Sequence, residues 1–161
     1  MMMSKRRWPG FPAVGVSRLF TALLLIAGSA TLAASSAFAD DLSVSNPWFR
    51  FIIPSVPAAG YFTLTNAGHE KRVLTGASSP ACGSLMMHKS MSADGEDQMV
   101  MVTSLDVLPN GAVTFGPGGY HLMCMEPSND MKIGARVPVT LTFADGLTLT
   151  QDFSVHGVGG Q

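Results

Sequence analysis

Two histidines and two methionines, His88, Met99, His121 and Met123, are the residues of this sequence whose types suit them best to hold a metal ion. Two imidazoles and two thioethers, with no carboxylate, form a soft donor set. It favours monovalent copper over calcium, over magnesium and over iron held by carboxylates. His121 and Met123 stand two apart in the run Gly119-Tyr120-His121-Leu122-Met123-Cys124-Met125. In a strand, positions i and i+2 share a face. One strand can therefore offer a nitrogen and a sulfur to one ion, with His88 and Met99 arriving from neighbouring strands.

The other sulfurs have competing readings. Seven of the eight methionines after residue 39 lie between Met86 and Met125. Methionine packs irregular cores adaptably, and core filling is expected to account for some of Met86, Met87, Met101 and Met125. Cys82 and Cys124 are the two cysteines. In an exported protein such a pair reads most simply as one disulfide. The alternative is that Cys124 is a thiolate ligand, although on a strand it would face away from His121 and Met123. His69 falls in a turn and reads as solvated. Trp48 and Phe49 are expected in the core, and Tyr61 and Tyr120 could equally border the metal or serve in packing.

The elements that must position these residues read as short strands joined by turns. No helical period persists beyond about two turns. Strands are expected over residues 43–51 (interrupted at Asn46-Pro47), 60–66, 71–77, 84–90, 98–103, 112–115, from His121 onward, 137–143 and 147–155. Asn66-Ala67-Gly68-His69, Ala93 to Asp97, Pro109-Asn110-Gly111, Gly116-Pro117-Gly118-Gly119 and Ala144-Asp145-Gly146 supply the turns, the last a strong hairpin signal. Strands at this spacing imply a single all-β domain, an antiparallel sandwich or barrel.

The first 39 residues have the form of a secretory signal peptide. Lys5, Arg6 and Arg7 precede the apolar run that starts at Leu19, and Ala37-Phe38-Ala39 makes an A-x-A exit before Asp40. An uncleaved anchor is the alternative, but the second half of the run is Ala and Ser. Cleavage would leave residues 40–161 as the domain, ending in a short flexible Gly-rich tail over 157–161. It would also leave six basic against eleven acidic residues, a net charge of −5. Such a balance, without a basic cluster, argues against nucleic acid and against stable association with anionic membranes.

With these residues in view, the chain resembles the periplasmic copper chaperones called PCu(A)C. Their pattern H-x10-M-x21-H-x-M is matched by His88, Met99, His121 and Met123. Similar segments are Ala59-Gly60-Tyr61-Phe62-Thr63-Leu64-Thr65-Asn66 and Pro117-Gly118-Gly119-Tyr120-His121-Leu122-Met123. The resemblance runs from about Leu42 to Val155. It implies a cupredoxin-like Greek-key β-sandwich that binds one Cu(I) near its surface through those four residues. It also implies a periplasmic protein that delivers copper to cytochrome c oxidase, alongside Sco-type thiol proteins. The chain departs from the common pattern at Lys89 and in its Cys82/Cys124 pair, and its tail holds only His156.

Four other functions compete, one of them an adhesion or structural sandwich whose methionine cluster is only packing and which would bind no copper. A blue-copper electron carrier needs a cysteine ligand preceding the second histidine, whereas Cys124 follows His121. A copper-storage or tolerance protein would use the same donors without a recipient. An enzyme would need a nucleophile–base pair, spaced carboxylates or a phosphate loop. None of these is seen, and Asp106, Asp145 and Asp152 read as turn or surface acids.

Overall fold

A computed structural model describes residues 41–93 and 96–160; the leader expected over residues 1–39 lies outside them. Ten strands follow in order: β1 (Leu42–Arg50), β2 (Ala58–Asn66), β3 (Arg72–Ser78), β4 (Cys82–Ala93), β5 (Glu96–Val102), β6 (Leu105–Val107), β7 (Gly111–Phe115), β8 (Tyr120–Pro127), β9 (Arg136–Phe143) and β10 (Thr148–His156). The hydrogen-bonded order is β5-β4-β8-β7-β2-β1-β10-β9-β3-β6, with β8 also pairing β2. The two ends fold over one another. Leu85, Met87 and Leu122 from one end and Leu74, Val139, Leu141 and Phe143 from the other join one buried cluster. The result is the expected all-β sandwich. Its ladders are antiparallel except β1–β10 and β7–β8, which run parallel.

Alternation decides what faces the core. On β2, Ala58, Phe62, Leu64 and Asn66 are buried while Thr63 and Thr65 are only partly covered. On β8, Leu122 and Cys124 are fully buried. On β1 the rule breaks in the middle. Leu42 points inward at the start, but Phe49 and Phe51 point inward at the end. A bulge between Ser45 and Trp48 shifts the register by one residue, and Asn46 takes the left-handed conformation (φ 50°) that this needs. Trp48 is therefore not a core residue, contrary to the expectation. It lies on the outer face against Tyr61, ring centroids 4.8 Å apart, and meets His156 edge-on.

Gly60 lets three strands close up. A Cβ there would sit 2.7 Å from the Phe49 ring and 3.1 Å from the Leu122 Cβ. Phe49 fills that space and contacts Phe153. Asn66, fully buried, ties the far end together. Its Nδ2 donates to the Glu70 and Val107 carbonyls (2.7 and 3.1 Å), and its Oδ1 accepts from Gly68 N at 3.0 Å. Beyond β10, Gly160 N donates to Gly157 O in a turn beside Trp48.

Candidate metal centre

β4 runs between β5 and β8, so its outward side chains form the middle of the candidate centre. His88 on β4 lies directly opposite His121 on β8, and Met86 opposite Met123. Directly opposed residues have Cβ atoms about 5 Å apart, and diagonal ones about 7–8 Å. The two imidazole rings are 5.9 Å apart between centroids and perpendicular. Met123 follows His121 on the same face. Met99, on β5, is opposite Ser90 and hence diagonal to His88. All four residues singled out in the sequence therefore share the outer face of three adjacent strands. Leu85, Met87, Leu122 and Cys124 alternate with them into the core.

The turn that launches β8 holds His121. Gly116 N donates to Tyr120 O, and Gly119 N donates to Gly116 O. Gly118 carries the positive φ (79°) that closes this turn. Gly119 O then receives His121 Nδ1 at 3.1 Å, as well as Ser90 N at 3.0 Å. A carbonyl can only accept, so Nδ1 is the protonated nitrogen, and the lone pair of the neutral ring is on Nε2. A backbone carbonyl fixing a ring in this way is the usual partner of a metal-ligating histidine.

His88 has no such partner. Its Nδ1 is buried and makes no hydrogen bond. Burial, and secondly the neighbouring His121, push the His88 pKa below the ordinary imidazole range. A neutral ring with an unmet nitrogen suits a metal ligand. Exposure grades across the centre. His121 is 6 % exposed and Met99 63 % exposed, so the imidazole lies deep and the thioether at the rim.

A cleft of about 420 Å³ opens over this face. Met99, His121 and Met123 line it, together with Arg50, Ile52, Val56, Ala59, Tyr61 and Pro117. None of its lining residues is a carboxylate. Among the described residues no three His, Cys, Asp or Glu side chains converge into a metal site, so a centre here has to draw on thioether sulfur. Tyr61 borders the cleft, and burial raises its pKa against the lowering effect of Arg50. Tyr120 lies on the other face, 5.8 Å from Phe115 between ring centroids, with Lys89 Nζ 5.1 Å from its ring centroid.

The cysteines form a disulfide, Cys82–Cys124, and Cys124 is fully buried. Of the four methionines offered to core filling, Met87 is buried, but Met101 is 60 % exposed, directly opposite His88 on the outer face, and Met86 and Met125 are on that face too. Their signal was parity: Met86 and His88 differ by two, as do Met99 and Met101. His69 is exposed in a bend.

This architecture, a β-sandwich with an imidazole–thioether cluster on its outer face, is the cupredoxin-like class. Residues 42–155 match the family described as "Putative lipoprotein LpqE-like". The chain belongs to that family, whose domains are those named PCuAC. It is 32 % identical over 111 residues to the protein Lxx21020 of Leifsonia xyli, and 30 % identical over 107 residues to RP573 of Rickettsia prowazekii. Those alignments take in 68 % and 62 % of this chain, and 66 % and 58 % of those relatives, less than two thirds of each. Among solved structures, Cu(I)-bound DR1885 of Deinococcus radiodurans is 32 % identical, covering 77 % of this chain and 85 % of that one, with a TM-score of 0.59. The copper-bound PCuAC domain of PmoF2 shares the fold at 22 % identity, with coverage of 73 % and 93 % and a TM-score of 0.60.

Proposed function

We propose that this protein is an exported copper chaperone. It holds one Cu(I) through His88, Met99, His121 and Met123 and passes it to a recipient. The observation that carries this reading is the opposed pair His88/His121, with one ring nitrogen unmet and the other ring fixed by a carbonyl, flanked by thioethers on both diagonals. The copper-bound relatives in the same family support the choice of metal. Cu(I) is d10, accepts distorted tetrahedral geometry and binds thioethers well, while Cu(II) prefers nitrogen and oxygen donors. Neutral thioethers need no deprotonation and form no disulfides, which suits the periplasm.

Release follows from the same geometry. Met99 at the rim can yield to a competing thiolate while His121 still holds the ion from below. The loop bearing Ile52, Ile53 and Val56, all more than a third exposed, offers apolar surface beside the cleft for a recipient to dock on. A thiol protein of the Sco type and the copper site of cytochrome c oxidase are the recipients that this chemistry fits. The leader over residues 1–39 would supply export, with the mature chain starting at Asp40. An electron carrier would need a thiolate ligand, and both cysteines are committed to the disulfide. Titration of the mature domain with Cu(I), with X-ray absorption to count neighbours, should show one ion with two nitrogens and two sulfurs. Parental affinity retained in His121→Ala would refute the assignment.

A further inference from the structure

We propose that Met101 and Met86 form a second, outer position for Cu(I) that shares His88 with the centre proposed above, on which this inference rests. The register carries it. Met101 is the direct cross-strand neighbour of His88, whereas Met99 is only diagonal to it. Met86 precedes His88 by two residues on the same strand face, so His88 has Met101 beside it and Met86 along the strand. Met86 and Met101 together line a separate cleft of about 210 Å³, bounded by Gly76 and Ala77 of β3 and by Thr103. The first cleft is lined by Met99, His121 and Met123 instead. His88 lines neither cleft, but the register makes it a neighbour of both sets, with Met101 directly across from it and Met99 and Met123 on its diagonals.

Packing does not account for Met101, which is 60 % exposed. Thioethers bind Cu(I) individually weakly enough to exchange, and all the sulfurs involved are neutral. The ion can therefore pivot about His88. Its bonds to His121, Met123 and Met99 break as bonds to Met101 and Met86 form, with no electron or proton transferred. The outer position, with fewer donors, holds the ion less tightly and presents it at the β5 edge of the sheet.

The test compares Cu(I) affinity, by anaerobic competition with a colorimetric Cu(I) chelator, among the parent, Met99→Leu, Met101→Leu, Met99→Leu/Met101→Leu and His121→Ala. Carbon-13-methyl methionine spectra are recorded on the same Cu(I)-loaded proteins. Met→Leu nearly conserves volume, so each variant should fold. Met101→Leu alone should change affinity by less than about threefold, since the inner position dominates. Met99→Leu should weaken binding about tenfold, and adding Met101→Leu should weaken it by about tenfold again, as losses of metal-site partners do. The Met101 and Met86 methyl signals should shift with Cu(I) in Met99→Leu. A double variant equal to Met99→Leu, with the Met101 methyl unmoved, would overturn the outer position while leaving the centre intact if His121→Ala has lost affinity. His121→Ala at parental affinity would overturn the centre, and this inference with it.

Discussion

Replacing Cys82 and Cys124 together by alanine should lower stability by about 4 kcal/mol while leaving Cu(I) affinity nearly unchanged. The disulfide spans a sequence separation of 42. In the chain-entropy model, a loop of that length removes about 13 cal/mol/K from the unfolded chain, which is about 4 kcal/mol at room temperature. For a domain of this size, that corresponds to a fall in melting temperature of roughly 15 °C. The closed loop contains His88, Met99, His121 and Met123, so it restricts the segment that carries every proposed ligand. In the folded state those ligands are held by other means. β4 and β8 remain paired from Cys82↔Pro127 to Lys89↔Tyr120, and β4 and β5 from Met87↔Val102 to Ala93↔Glu96. The loss should thus appear in the unfolding equilibrium and not in metal binding. Guanidinium unfolding of the metal-free proteins measures the first quantity and chelator competition the second. A stability loss under about 1 kcal/mol would refute the loop argument. A tenfold fall in Cu(I) affinity in the still-folded variant would refute the claim that strand pairing alone positions the ligands.

Gly60→Ala should cost about 1–3 kcal/mol by overpacking, because its new methyl meets the Phe49 ring at 2.7 Å; chemical denaturation would read this. Asn66→Ala should cost at least about 2 kcal/mol, since it strands the Val107 carbonyl and the Gly68 N–H in a buried site, and amide exchange at Gly68 should accelerate. In the metal-free protein, His88 should titrate below the ordinary imidazole range in a proton NMR titration, and His121→Ala should raise its pKa by removing one of the two causes. The sign for stability follows. The folded state prefers neutral His88, so this contribution is complete above the unfolded value near 6.5 and is lost as the pH falls through and below it. A His88 pKa at or above 6.5 in the folded protein would contradict the burial assigned to it.

That the four candidate residues share a face was more legible than the strand order that brings them there. His121-x-Met123 announces a shared strand face through spacing alone, and strand pairing then brings His88 opposite His121. Which strands adjoin was not readable: β4, which ends at Ala93, pairs with β8, which starts only at Tyr120 after three other strands, and parallel pairing of β1 with β10 leaves no local trace. The three-residue β6 escaped notice because Leu105-Asp106-Val107 is too short to show alternation. Which methionines fill the core is not legible in the sequence, for a chemical reason. Methionine is equally at home in a core and at a soft metal, so its type does not decide, and only register does. Trp48 was misplaced because a bulge changes the parity of β1, and Asn46-Pro47 signals an interruption without saying whether a residue is added.

That bulge makes counting a structural variable. Upstream of it β1 turns Leu42 to the core, and downstream it turns Phe49 and Phe51 there, leaving Trp48 and Arg50 outside. Deleting a single residue at position 46 or 47 would leave one residue opposite Phe62, close the bulge and keep Leu42, Phe49 and Phe51 facing the core. Keeping the full count while straightening the strand would exchange the two sets: the Arg50 guanidinium would move toward the interior, Phe49 would leave its place beside Gly60, and Arg50 would be withdrawn from the cleft wall. What this stretch transmits to the metal face is therefore the match between its length and its bulge, and related chains should keep both or lose both.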